Sequence, residues 1–200
     1  AYTVGGWPKL DQTFRIMRVF VAATQKLSEE TRRHVLPQNT TMHDGRGDIY
    51  VYKYDRDGRI VASMFPMGRR GVDLALTRKI LTDRLKWLHP QIAEEIRWEY
   101  LWFGELDMQV RTVPRLYDLA PGVVGLTGLS GRGVPTGSML GGILAEWAIG
   151  VPDRDLSLKL EPQRSAPFYM GFGPQLSLRY HRARDWLSAK AAGAPLPPHP

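Results

Sequence analysis

The sequence predicts an α+β fold: a large, mostly antiparallel β-sheet flanked by helices. Three stretches carry this expectation. Residues 49–65, IYVYKYDRDGRIVASMF, place Tyr50, Tyr52 and Tyr54 on one side of a strand, with Asp57-Gly58 at a turn and a returning strand from Arg59 to Phe65. Period-two alternation around an Asp-Gly turn is the signature of a β-hairpin. Residues 95–106, EIRWEYLWFGEL, alternate in the same way, with Ile96, Trp98, Tyr100 and Trp102 on one side and Arg97, Glu99, Leu101 and Phe103 on the other. Between them Leu74, Thr77, Leu81, Leu85 and Leu88 recur at helical spacing, and His89-Pro90 ends the run.

The other elements follow from the same rules. Ile16–Thr24 is β-branched and apolar enough for a buried strand. Ser28-Glu29-Glu30 then reads as a helix N-cap with acidic first-turn residues, and Pro37 keeps that helix short. VVGLTG, residues 123–128, is a short buried strand that runs into a glycine-rich loop. Met139–Ile149 forms the next helix, closed by Gly150 and Pro152. A last helix starts at Pro174, with Leu176, Tyr180, Ala183 and Leu187 on its apolar face and Arg179, Arg182 and Arg184 elsewhere. The closing AGAPLPPHP is expected to be a flexible tail, too rich in proline to pack.

Composition narrows the classes of function. The 200 residues are 43% apolar and 10% aromatic, which suits one large or two small globular domains with a real core. Neither a membrane span nor a signal peptide is visible, so a soluble, cytoplasmic protein is expected. The absence of cysteine excludes a disulfide framework, a thiolate metal site and a cysteine nucleophile in this segment. No metal site is expected. Twenty-seven basic against 20 acidic residues give a charge of +7, which favours anionic partners. The basic clusters are small and dispersed: Arg32-Arg33, Arg69-Arg70 and Arg179 to Arg184. No helix-turn-helix, zinc-finger or RNP-like motif accompanies them, and no nucleic-acid partner is expected. The start, AYTVGGWPKL without an initiator methionine, suggests a processed product or a piece of something longer.

Residues 125–142, GLTGLSGRGVPTGSMLGG, hold seven glycines, two threonines and two serines at the approach to an apolar helix. Glycine at this density marks positive φ or close approach of something to the main chain. Gly131, Gly133 and Gly137 are spaced G-x-G-x-x-x-G, which departs from the dinucleotide fingerprint G-x-G-x-x-G, and no strand carries Asp153 to a ribose. Two readings stay open on spacing alone. The glycines allow tight packing of the chain on itself, or a strand, loop and helix start present free N–H groups to an anion or polar heterocycle, aided by the hydroxyls of Thr127, Ser130 and Thr136.

At this loop the chain resembles the carboxyl-terminal part of the FAD-dependent amine and amino-acid oxidoreductases, the D-amino-acid oxidase (DAO) family. It is most similar to the branch of gamma-glutamylputrescine oxidase-like proteins. The family's late loop, G-[YFL]-[SN]-G-[RH]-G-V, matches Gly128-Leu129-Ser130-Gly131-Arg132-Gly133-Val134. The approach through Pro114 and Leu119-Ala120-Pro121-Gly122, the helix glycines Gly141 and Gly150 around Ala145, and the closing SAPFYMGFGPQLSLRYHRARDWLS add to it. So does the opening AYT with VAATQKLSEE.

The resemblance implies a cofactor, FAD, and a reaction in which a C–N bond of an amine or amino acid is oxidised by moving a hydride equivalent to flavin N5. It implies that residues 128–134 face the isoalloxazine, with N–H groups of Ser130, Gly131, Arg132 and Gly133 stabilising charge at N1 and O2 of the reduced ring. The aromatic residues Tyr50, Tyr52, Trp98, Tyr100 and Trp102 become candidates for the substrate side, although such a row also reads as sheet core. The implied organisation is a substrate domain over 1–120, the glycine loop and helix over 121–165 as a βα element of the FAD domain, a C-terminal helix over 166–190, and a tail over 191–200. The family's amino-terminal FAD-binding unit does not precede Ala1, so its domain or subunit is the implied partner, with a second copy of this chain as a further candidate. Where sarcosine oxidase-like relatives carry a lysine after the loop this chain has Pro135, and Arg111 stands where many relatives have aspartate. No catalytic residue is therefore assigned, and Arg132 is read either as a surface arginine or as a group that holds a substrate carboxylate.

Overall fold

A computed structural model describes residues 5–65, 73–92 and 95–198, with Arg111 through its backbone alone. Arg69-Arg70, the first four residues and the Arg111 side chain lie outside this description. The chain divides into two compact units, one of Ala1–Met17 with Glu105–Gly171 and the other of Arg18–Gly104 with Phe172–Pro200. The division is not by consecutive blocks: the chain changes unit inside two strands, and the C-terminal helix belongs with the sheet residues of the second unit.

The fold is α+β. A five-stranded sheet has the order β2-β3-β4-β1-β5, built from β1 (Arg15–Thr24), β2 (Met42–His43), β3 (Val51–Tyr54), β4 (Ile60–Met64) and β5 (Trp98–Met108). The pairs β1–β4, β2–β3 and β3–β4 are antiparallel. The β3–β4 hairpin closes at Tyr54↔Ile60, and Asp55 Oδ1 shapes its loop by accepting the N–H groups of Asp57 and Arg59, each at 2.9 Å. Gly58 takes the left-handed conformation, φ 80°, that the Asp-Gly signal anticipates.

Two helices have side-chain caps, the first as expected. α1 (Glu29–His34) starts at Ser28, whose hydroxyl accepts from the Thr31 N–H at 3.1 Å. α2 (Leu74–Leu88) starts at Asp73, which accepts from Leu76 N–H at 2.8 Å. These bonds satisfy donors that a helix start leaves open, each worth about 1 kcal/mol. The buried face of α2 is Thr77, Ile80, Leu81, Arg84 and Leu85, whereas Leu74 is exposed. It joins Phe20, Ala22, Tyr52, Ile60, Met64 and Trp98 in the core of this unit. Burial of each large aliphatic side chain there contributes about 1.5–3 kcal/mol before entropy is counted.

The other unit contains a three-stranded sheet of order β7-β6-β8, from β6 (Arg115–Ala120), β7 (Val123–Thr127) and β8 (Leu160–Glu161). β6 and β7 are antiparallel and β6 and β8 parallel, with Arg115 paired to Glu161 at 2.5 Å. α3 (Gly133–Ala148) places Leu140 and Ile143 in a small core with Leu116 and Leu156. It begins six residues before the expected Met139: Pro135 sits in its first turn, where its missing N–H has no partner to lose. Gly133, Gly137, Gly141 and Gly142 are thus helix residues, and the loop proper is 128–132.

α4 (Gly173–Ala191) belongs to the unit of the large sheet. Its buried residues are Leu178 and Arg182, whereas Leu176, Tyr180 and Leu187, expected to face inward, are exposed. The reason is electrostatic: Arg182 is drawn inward by Asp48, to which its Nε donates at 2.6 Å. The proline-rich end is not excluded from packing, since Pro197 is buried. No helix of the described residues is long and apolar enough to cross a membrane.

Candidate functional site

The glycine loop is built by the strand that ends beside it. Gly128, Ser130 and Gly131 all have positive φ, at 90°, 51° and 84°. Gly128 answers to the protein itself, because a Cβ there would run into Cγ of Gln109. Gln109 is buried and fixed, its Nε2 donating to Tyr117 at 3.1 Å and to Thr127 Oγ1 at 2.9 Å. Asp107, near the end of β5, accepts the Gly128 N–H at 2.6 Å and the Ser130 N–H at 3.4 Å. The Ser130 hydroxyl returns to the Asp107 carbonyl at 3.3 Å. One carboxylate therefore holds two turns of backbone in the left-handed region.

These bonds sort the loop's donors. Ser130 N–H goes to Asp107, and Arg132 N–H goes to the Leu129 carbonyl at 2.9 Å. The first bond of α3 runs from Thr136 N–H to the Arg132 carbonyl at 3.3 Å. Gly131, Gly133 and Val134 keep N–H groups with no partner among the described residues, and all three are exposed. They stand at the positive end of a 16-residue helix that has no acidic residue in its first turn and no side-chain cap. The Arg132 guanidinium bonds the Thr112 carbonyl, which aligns it along the protein surface. Of the four donors implied by the resemblance, two are internal, and Val134 adds one that the sequence did not single out.

The aromatic candidates fall into two groups. Tyr50 is buried against Trp87, 6.2 Å between ring centroids, with the Arg84 guanidinium over its ring at 4.1 Å. Tyr52 is buried and shares a 2.5 Å hydrogen bond with His89 Nε2. Its pKa is pushed up to about 12, first by burial and then by the negative charge of Asp44. Trp98 is buried, and its indole N–H donates to Thr82 of α2 at 2.9 Å. Tyr100 and Trp102 are instead about half exposed, at 55% and 47%. The clean alternation expected along β5 is broken: Trp98 and Leu101, three residues apart, both pack on the same core, and Phe103 lies against Phe20 at 6.0 Å. Arg59 pairs with Glu99 and covers the Tyr100 ring at 5.4 Å.

Sequence reasoning passed over Asp107 and Gln109. Their only local signal is polarity at the end of an aromatic strand, which ordinarily marks a strand leaving the core. Of the basic helix residues, Arg182 is buried on Asp48 and Arg184 pairs with Asp185 at 3.0 Å, so the three arginines do not form one exposed basic run.

None of the known family profiles matches this chain. The chain is 25% identical over 135 residues to a probable oxidoreductase OrdL of Haemophilus influenzae, covering 68% of this chain and 30% of that protein. It is 25% identical over 177 residues to a probable oxidoreductase OrdL of Rhizobium meliloti, covering 87% and 39%. To the gamma-glutamylputrescine oxidoreductase of Escherichia coli it is 24% identical over 135 residues, covering 67% and 31%. Among solved structures, L-proline dehydrogenase from P. horikoshii shares the fold over 68% of this chain and 37% of its own, with a TM-score of 0.50 and 14% identity. The chain spans between about three and four tenths of the length of these relatives. The chain is thus distantly similar in sequence to these oxidoreductases over a part of their length, and it shares the fold of part of the proline dehydrogenase.

Proposed function

We propose that the chain is the substrate-side portion of an FAD-dependent oxidoreductase acting on a C–N bond of an amine or amino acid, with residues 128–134 against the flavin. The observation that carries this reading is the set of open N–H donors on Gly131, Gly133 and Val134 at the start of α3, next to the Gly128 and Ser130 N–H groups that Asp107 accepts. The residues present fit an electron-rich ring edge: the donors are exposed, and a Cβ built on Gly133 would meet only Leu129, at 3.9 Å. FAD bound there supplies the hydride acceptor. The chain's own contribution is electrostatic, since fixed donors aimed at developing negative charge need no reorganisation during reaction.

On the sheet, Tyr100 and Trp102 offer aromatic surface to the substrate, while Tyr50, Tyr52 and Trp98 hold the sheet rigid from within. The substrate class, an amine or amino acid, agrees with the names of the gamma-glutamylputrescine and proline enzymes. The partner is the FAD-binding domain or subunit. Its docking surface is the outer side of α3, where Val134, Met139 and Ile149 are exposed and Gly137, Gly141 and Gly142 have open space above their Cα atoms. Without that partner the chain is inactive.

The test uses the chain reunited with the FAD-binding part. It should purify with flavin absorbance, and Gly131→Val and Gly133→Val should each lose FAD or slow flavin reduction. A colourless protein that takes up no added FAD overturns the cofactor. Normal flavin reduction in both variants removes the loop from the reaction.

A further inference from the structure

Asp48, Arg84 and Arg182 form a buried cluster in the unit of the large sheet, 3%, 4% and 7% exposed. Both guanidiniums donate to the same carboxylate oxygen, Oδ2, Arg182 through Nε at 2.6 Å and Arg84 through Nη2. Two positive charges thus share one negative charge. The nearest other carboxylates are taken, Asp44 by Arg46 at 2.9 Å and Asp185 by Arg184 at 3.0 Å. Arg84 Nε and Nη1 and Arg182 Nη2 are buried with no hydrogen-bond partner among the described residues, as is Asp48 Oδ1. An uncompensated buried charge and a buried donor left open are both destabilising. Such a cluster calls for a counter-charge.

Beside it lies a small recess lined by Arg46, Asp48, Tyr50, Arg182, Asp185 and Pro197, with room for about one water-sized particle. That size excludes phosphate esters and nucleotides. We propose that this recess binds one small monovalent anion of halide size, held by the Arg182 guanidinium N–H that Asp48 leaves open. The anion balances the second arginine.

The test is ³⁵Cl NMR of the protein in gluconate buffer, with chloride added at constant ionic strength. The wild type should give a saturable excess linewidth that bromide competes away, together with a saturable rise in melting temperature. Arg182→Met, which leaves Asp48 and Arg84 as a balanced pair, should weaken chloride binding on the order of tenfold or more. Arg179→Met, a charge change on the exposed side of the same helix, should leave it unchanged. A wild type without saturable linewidth means that the recess holds water alone and overturns the proposal. Equal loss in both variants does the same, since it reports net charge and no site. If Arg182→Met does not fold, Arg182→Lys, which keeps the charge and loses the planar fork, decides on the same readout: unchanged binding overturns the site.

Discussion

Asp107 accepts the N–H of Gly128 at 2.6 Å, across 21 residues of chain, and the same carboxylate reaches Ser130 N–H. This pairing determines the shape of the loop and which of its donors remain open. Asp107→Asn keeps one acceptor and loses its charge, so it should destabilise the protein by about 1–2 kcal/mol. It should also make the 128–132 loop more sensitive to proteolysis, measured by urea unfolding and limited digestion. Unchanged stability and digestion would show that the loop holds its shape without Asp107.

Gly128→Ala tests the other constraint. The left-handed conformation should cost about 1–2 kcal/mol and the collision with Gln109 a further amount of about 1–3 kcal/mol. Combining it with Gln109→Ala should recover part of the loss, because the second change removes the obstructing Cγ. A double-mutant cycle with no coupling would contradict this contact.

His89 should make stability depend on pH. Burial holds its pKa below the ordinary value, so the fold favours neutral imidazole. Stability from this group is complete above the unfolded pKa of about 6.5 and is lost as pH falls through the lower folded value. Tyr52, whose pKa is pushed up to about 12, stays protonated throughout this range. Melting temperatures between about pH 7.5 and pH 5 should fall more steeply for the wild type than for His89→Gln. Parallel curves would remove His89 from the acid response.

The aromatic residues should separate by assay. Trp98→Ala should cost about 3–5 kcal/mol of stability, as large core truncations do. Tyr100→Ala and Trp102→Ala should change stability by about 0.5 kcal/mol or less, as surface positions do, yet raise KM in the reunited enzyme. Wild-type KM in both surface variants would take them out of the substrate site.

Much of the architecture was readable along the chain, because helices and strands that bury one face must repeat apolar residues at 3.6 or 2 positions. The hairpin at Asp57-Gly58, the cap Ser28, and the helix over 74–88 follow from that rule and from local hydrogen bonding. Periodicity misread two places where a specific partner overrides it. Arg182 turned α4, because a buried carboxylate attracts a guanidinium more strongly than Leu176 or Tyr180 gains by burial. Along β5 the exposure of Tyr100 and Trp102 breaks the alternation that begins at the buried Trp98, whose indole is engaged by Thr82.

For the candidate site, sequence alone determined that a glycine-rich stretch over residues 125–142 would lead into an apolar helix. Tertiary structure decided which donors were left. Asp107 and Gln109 lie about twenty residues before the loop, and only the folded chain brings their polar atoms within hydrogen-bond reach of Gly128, Ser130 and Thr127. A pattern of residue types reports which face of an element is buried. It carries no record of which distant side chain will satisfy a given N–H, and that pairing separates the packed glycine, Gly128, from those that stay open, Gly131 and Gly133.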